Sequence, residues 1–343
     1  MTRQCLDSMG ERASKLALPN RIKPCGATDD SETNCESTQT IYALEVQIVY
    51  LDQNAASLLA KPDSEPIWKE IREALAEGFG DRKLICPLPF EGVIESAPCS
   101  SELRKLIQGL FWQLSEGIAF EEFTQMSNEL TLALIRPIPN WSPWIIWKPG
   151  WAEMVDVAQK VASDWKAEKE RMTARMNGFV RSPNLEAMSE RELFHTVAKQ
   201  RSIRICNDLD CLLAGQVNGS LMLPWLIEFL ISENISPAEI EALKRAIQYH
   251  GWEKIQIHAF DILLGARWEY DSIRGGTAAY EPNDEIDRKR AAIALNHAEV
   301  FITEGGIADL CRRAKVNDYC PTVVLSVRDP QKVLEAVRSI NTG

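Results

Sequence analysis

Five acidic residues in this 343-residue chain have types and spacing that could do chemistry: Asp52, Glu95, Asp284, Asp287 and Glu304. Asp52 directly follows the apolar run Val46-Gln47-Ile48-Val49-Tyr50-Leu51, and Glu304 directly follows Val300-Phe301-Ile302-Thr303. Asp284 and Asp287 stand three residues apart, a spacing that puts both on one face of a helix. Glu95 lies on a helix expected after a second strand. In open parallel sheets, ligands collect in the crevice beyond the carboxyl ends of strands, where Asp52 and Glu304 would point. Like charges gathered there raise each other's pKa, and a divalent cation removes that penalty. Mg²⁺ and Mn²⁺ prefer oxygen ligands, and Mg²⁺ typically takes one or two carboxylates plus water and substrate phosphate. Such an ion activates water and neutralises a leaving phosphate without a His, Ser or Cys nucleophile.

The elements that must position these acids alternate. The β-branched run at 46–51 reads as a buried strand, with a helix from 55 to 60 after the turn Asp52-Gln53-Asn54. Ile67, Ile71 and Leu75 give a helix over 67–77, closed by Gly78 and Gly80. A strand at 83–86 precedes Pro87 and Pro89. A helix from about 90 then carries Glu91 and Glu95. The block 101–130 reads as helical, with Leu103, Leu106, Leu110 and Leu114 on one face. Toward the other end come a helix over 282–296, a strand over 299–303, a helix over 307–314, a strand over 322–327 and a helix over 330–340. Strands alternating with helices imply a parallel sheet.

The middle of the chain differs. Trp141, Trp144, Trp147 and Trp151 lie among prolines, a stripe that reads as core packing or as a binding surface. Helices are expected over 152–176, 221–230 and 237–249. The last opens Ser236-Pro237-Ala238-Glu239, with Ser as N-cap, Pro at N1 and Glu at N3. From Lys160 to Arg204, ten Lys and Arg stand against six Asp and Glu, which reads as a solvated helix face or a phosphate-facing lid. The expected organisation is therefore a polar, unstructured tail over 1–40, an α/β domain made of 41–139 and 271–343, and a mainly helical insertion over 140–270.

Composition bounds the alternatives. The net charge of −11 argues against a generic nucleic-acid binder, because Lys and Arg supply most non-specific affinity for phosphates. Clustering of acids around bound cations offsets part of that objection. Nine cysteines without a CxxC pair exclude a zinc ribbon and read as reduced thiols, with Cys206 and Cys211 in packing roles. No apolar run is long enough to cross a bilayer and no signal-peptide core follows the first residues, so a cytoplasmic protein without membrane contact is expected. His195, His250, His258 and His297 show no metal spacing, although His297 precedes the acidic strand and is a candidate to touch the site. No GxGxxG or Walker A sequence occurs, so neither nicotinamide nor ATP binding is implied.

The segment Ile48-Val49-Tyr50-Leu51-Asp52-Gln53-Asn54 resembles the opening strand of PIN-domain proteins, a hydrophobic strand ending in Asp with Asn two residues on. Cys86-Pro87-Leu88 through Ile94-Glu95 resembles their next acidic segment. Asn283-Asp284-Glu285-Ile286-Asp287 through Thr303-Glu304 resembles the closing part, with Glu304 where Asp is usual. The resemblance spans about 45–135 and 280–330. It implies a three-layer α/β/α fold with a central parallel sheet and a large helical insertion. It also implies an Mg²⁺- or Mn²⁺-dependent endoribonuclease acting on RNA, often the toxin of a toxin–antitoxin pair. Asp52, Glu95 and Asp287 would be the core metal ligands, Glu304 the fourth acid, Asp284 a helper, and Asn54 an orienting hydrogen-bond donor. Two other readings stay open. One is a PIN-like scaffold with a degraded site that binds a protein partner. The other is an aspartyl-nucleophile phosphatase, which would want Asp where Asn54 stands.

Overall fold

The computed structural model describes residues 46–90, 92, 99–136, 144–146, 187–216, 223–275 and 282–342. The expected tail over 1–40, Glu95, the helix over 152–176 and three of the four tryptophans of the stripe lie outside the described residues. The chain divides between Glu122 and Phe123 into two compact units. One holds the described residues up to Glu122, the strand at 144–146 and the residues from 282 onward. The other holds 123–136 and 187–275.

The first unit is α/β around a four-stranded parallel sheet. Its strands are β1 (Gln47–Leu51), β2 (Leu84–Ile85), β5 (Val300–Thr303) and β6 (Val323–Ser326), in the order β2-β1-β5-β6. Val49 pairs with Val300, Tyr50 with Phe301 and Leu51 with Ile302. Val49, Leu51, Val300 and Ile302 face one core; Tyr50 and Phe301 face the other side, as the two-residue period of a strand requires. That core is filled by α1 (Gln53–Ala60), α2 (Pro66–Gly80), α3 (Ser101–Ser115) and α11 (Pro330–Thr342). On the other side the Tyr50 ring meets Phe301 edge-on at 5.4 Å and Phe120 at 5.3 Å. Side chains as large as Leu51, Tyr50 and Phe301, at most 1% exposed, each contribute about 1.5–3 kcal/mol by leaving water.

Local chemistry explains where these helices start and stop. Asp52 caps α1, and Pro66 opens α2 at a position that needs no amide donor. α2 runs through Gly78 to Gly80 rather than stopping at Gly78. Gly78 is there for space, since a Cβ would lie 2.7 Å from a methyl of Leu84 and against the Asn341 side chain. The block 101–130 is not one helix. α3 ends at Glu116 and Gly117, both at positive φ (49° and 87°), and the chain then forms β3 (Ile118–Phe120). β3 pairs antiparallel with β4 (Trp144–Ile146), which places Trp144 in a strand. The leucine period stops at Leu114, just before the break, and the left-handed pair is what turns the chain.

The second unit is helical: α4 (Phe123–Leu132), α5 (Glu190–Leu213), α6 (Pro224–Ser232), α7 (Pro237–His250) and α8 (Gln256–Gly275). α5 and α7 both begin with full capping boxes, Ser189 with Glu192 and Ser236 with Glu239. His258, 3% exposed, lies against Trp252 at a ring separation of 4.1 Å and edge-on to Phe123 at 5.9 Å. Asp261 pairs with Arg201 at 2.9 Å, and Asp208 accepts from the Leu223 amide at 3.0 Å. Cys206 is a buried free thiol whose pKa burial raises, which fits a packing role. Among the described residues no helix is long and apolar enough to cross a membrane.

The remaining elements, α9 (Pro282–His297) and α10 (Gly305–Arg313), flank β5 in sequence and belong to the sheet unit.

Candidate carboxylate site at the sheet switch point

The chain leaves β1 toward β2 on one side and passes from β5 to β6 on the other, so the direction of strand order reverses between β1 and β5. In open α/β sheets that reversal opens a crevice at the carboxyl ends of the two strands. Asp52 follows β1 and Glu304 follows β5, and here they meet. The Glu304 amide donates to Asp52 Oδ2 at 2.6 Å across 252 positions of sequence, and the Asp52 amide donates to Ile302 O at 3.0 Å.

Asp52 is 1% exposed. Burying an ionised carboxylate costs several kcal/mol unless hydrogen bonds replace its water. Here three donors do so. Ala55 N donates to Oδ1 at 2.8 Å, Thr303 Oγ1 to Oδ2 at 2.7 Å and Glu304 N to Oδ2. Asp52 therefore caps α1 and stitches β1 to β5, a structural task its position in sequence did not reveal. Thr303, 1% exposed, supplies one of the three bonds. The sequence marks it only as the last residue of a strand that ends in an acid.

Around this anchor stand the other acids. Asn54, in the first turn of α1, donates through Nδ2 to Glu304 Oε2 at 3.0 Å. The Glu304 carboxyl is held above the usual range, first by burial and then by the charges of Asp287 and Asp52, while Arg290 and Arg328 pull it back. Asp287 forms an ion pair with Arg290, one turn on along α9. Arg328 packs over Gly305 at the start of α10, so that a Cβ there would lie 2.7 Å from Arg328 Cδ. The structure thus brings together Asp52, Asn54 and Glu304 by hydrogen bonds, while Asp287 reaches Glu304 only through its charge. Asp284 sits half-buried one turn before Asp287. Arg290 and Arg328 are the members that sequence reasoning missed; the i, i+3 spacing of Asp287 and Arg290 was the available signal.

His297 does not join them. It lies at the amino end of the sheet, beside a cavity of about 340 Å³ lined also by Glu299, Thr322 and Ser339. Its ring is 6.2 Å from Phe120, and burial depresses its pKa to about 4. The reason is directional: His297 ends α9 at the amino end of β5, whereas Asp52 and Glu304 follow β1 and β5.

Among the described residues no three His, Cys, Asp or Glu side chains are grouped so as to hold a metal ion. A three-carboxylate cage of the expected kind is therefore not present among them. The donor chemistry, carboxylate oxygens with an amide beside them, still suits a hard divalent ion, and Mg²⁺ requires only one or two carboxylates from protein. The arms that would serve are Asp287 and Glu304, with Asp52 as the buried anchor behind them. Comparison with protein-family models, with curated proteins and with solved structures finds no match for this chain.

Proposed function

We propose that the chain is a PIN-like endoribonuclease that uses Mg²⁺ or Mn²⁺ to hydrolyse RNA, with helices layered on both sides of its parallel sheet and a cytoplasmic setting. One observation supports the reading most. Two acids 252 residues apart are brought into contact at the switch point of a parallel sheet, with a third acid close enough to raise the proton affinity of Glu304. A bound divalent ion supplies an acidified water and charge neutralisation on the phosphate. The rest falls to the chain. Asp287 and Glu304 offer oxygen ligands, and Asp52 fixes the backbone from which Glu304 projects. Asn54 holds Glu304 Oε2, which leaves Oε1 to take a proton from an attacking water. A raised proton affinity suits that base at neutral pH.

The test is cleavage of labelled single-stranded RNA with Mn²⁺, with and without chelator, by the wild-type protein, Glu304→Gln and Asp287→Asn. Cleavage that needs metal and falls about a hundredfold or more in both variants is the expected result. Equal cleavage by the variants overturns the mechanism. Asp52→Asn is a poor substitute, because its amide NH₂ would face the Glu304 N–H, donor against donor, and disturb the fold itself.

A second reading, a PIN-like scaffold that binds a protein partner such as an antitoxin, is favoured by the net charge of −11 and by the saturated hydrogen bonding of Asp52. Wild-type protein that neither cleaves RNA nor binds Mn²⁺ would favour that reading instead.

A further inference from the structure

The cavity at the amino end of the sheet has a lining that is one-sided in its chemistry. Among the described residues no Lys or Arg lines it. His297, in its wall, is neutral at pH 7, because burial depresses its pKa to about 4. The polar groups that remain are acceptors. Glu299 uses Oε2 to hold the Ile48 amide at 2.6 Å. Desolvation raises the pKa of that carboxyl, and no basic side chain among the described residues offsets the rise. Thr322 gives its hydroxyl proton to Ala298 O at 2.8 Å and Ser339 gives its own to Ala336 O at 2.7 Å, so each keeps only lone pairs for another partner. Asn296 donates from Nδ2 to Ala292 O at 2.7 Å, which fixes the orientation of the amide and leaves its buried Oδ1 without a donor. α9 ends here at His297, so the partial negative charge of a helix C-terminus adds to that of the carboxylate.

Such a lining selects among ligands. A phosphate, or the carboxylate of a zwitterion, would meet like charge and no cation. A quaternary ammonium wants aromatic walls, and among the described residues no Phe, Tyr or Trp lines the cavity. A hard metal ion wants a shell of oxygen ligands, which one carboxylate beside Leu295, Val300 and Ile340 does not supply. A polyamine carries more positive charge than one carboxylate answers. We propose that the cavity binds a primary alkylammonium ion of single charge, whose head donates to Glu299 and whose chain lies along Leu295, Val300 and Ile340. The volume of about 340 Å³ falls in the range of small-molecule sites. The site needs none of the acids at the carboxyl end of the sheet, so it stands or falls apart from the proposed reaction.

The experiment is a titration of the full chain with pentylammonium chloride at pH 7, followed by nuclear magnetic resonance of the backbone amides, with pentanol as the uncharged twin. The Ile48 amide, which Glu299 holds, is expected to shift and saturate with the amine, and pentanol is expected to bind about tenfold more weakly. Glu299→Gln keeps an acceptor for Ile48 and should bind the amine about tenfold more weakly than wild type. Should that variant fail to fold, Ser339→Phe supplies the second measurement: it fills the cavity from an exposed position of α11 and should abolish binding. Equal affinity for amine and alcohol, undiminished binding by Glu299→Gln, or binding that survives Ser339→Phe overturns the proposal. A wild-type protein whose amides show no saturable shift overturns it outright.

Discussion

Each end of the sheet joins β1 to β5 with a carboxylate that accepts a backbone amide from the neighbouring strand, and the two ends differ in what surrounds that carboxylate. At the amino end Glu299 accepts from Ile48 N at 2.6 Å. Its neighbours are neutral: Thr322 donates to Ala298 O at 2.8 Å, and His297 is kept uncharged by burial. At the carboxyl end Asp52 accepts from Glu304 N at the same 2.6 Å, but there the Glu304 carboxyl feels the charges of Asp287, Asp52, Arg290 and Arg328. One acid suffices for a clamp, as the amino end demonstrates. The additional acids at the carboxyl end raise the electrostatic cost, and the proposed function reads that surplus as a site.

Removing each clamp in turn is the most severe trial of this contrast. Asp52→Ala deletes three hydrogen bonds and strands the buried Glu304 amide and Thr303 hydroxyl. A loss of about 3–5 kcal/mol, read from denaturant midpoints, is expected. Glu299→Ala deletes a single hydrogen bond, from Ile48 N, and should cost about 1 kcal/mol. Similar losses at both ends would erase the distinction.

Acid should act on the amino end next. The folded pKa of His297, about 4, lies below its ordinary value of 6.5. The unfolded chain therefore binds the proton first, and stability contributed by the neutral ring is lost as pH falls from 6.5 toward 4. The loss is as much as about 3 kcal/mol. Urea midpoints at several pH values should fall more steeply for wild type than for His297→Phe; parallel curves would contradict the assignment.

The smallest effect belongs to Glu304. Its carboxyl is raised, so its ionisation above the ordinary glutamate pKa costs the folded state stability. Glu304→Gln in chelator should be slightly more stable than wild type at pH 7, by less than about 1 kcal/mol because the group is partly solvated. Added Mn²⁺ should reverse the order of the melting temperatures. An unchanged order sharpens the comparison toward a purely structural carboxyl end.

Much of the frame was legible because its signals are local. Strand 46–51, the capping of α7 by Ser236 and Glu239, and the alternation from 282 onward all follow from side-chain period and terminal chemistry, and the sheet is parallel as that alternation requires. The break at Glu116 carried one flag, Gly117 just past the helix end, but the left-handed backbone at the glutamate itself carried none. Nor was the role of Asp52. A strand-end aspartate reads the same whether its oxygens face a ligand or three protein donors, and only the register of β1 on β5 decides between them. Arg290 was hidden for a related reason, since burial turns an ordinary helical pair into a charge that others must answer.

The pairing of β1 with β5 also has a consequence for biogenesis. Closing a loop of that length costs about 5 kcal/mol of chain entropy before any strand contact repays it. The central strand pair therefore assembles late, once synthesis has supplied residues 300–304, and β1 waits on the ribosome with one edge unpaired. A message cut short before that point yields a polypeptide with Asp52 but without Thr303 and Glu304. Such a fragment would be a substrate for chaperones and proteases, never a partly working copy.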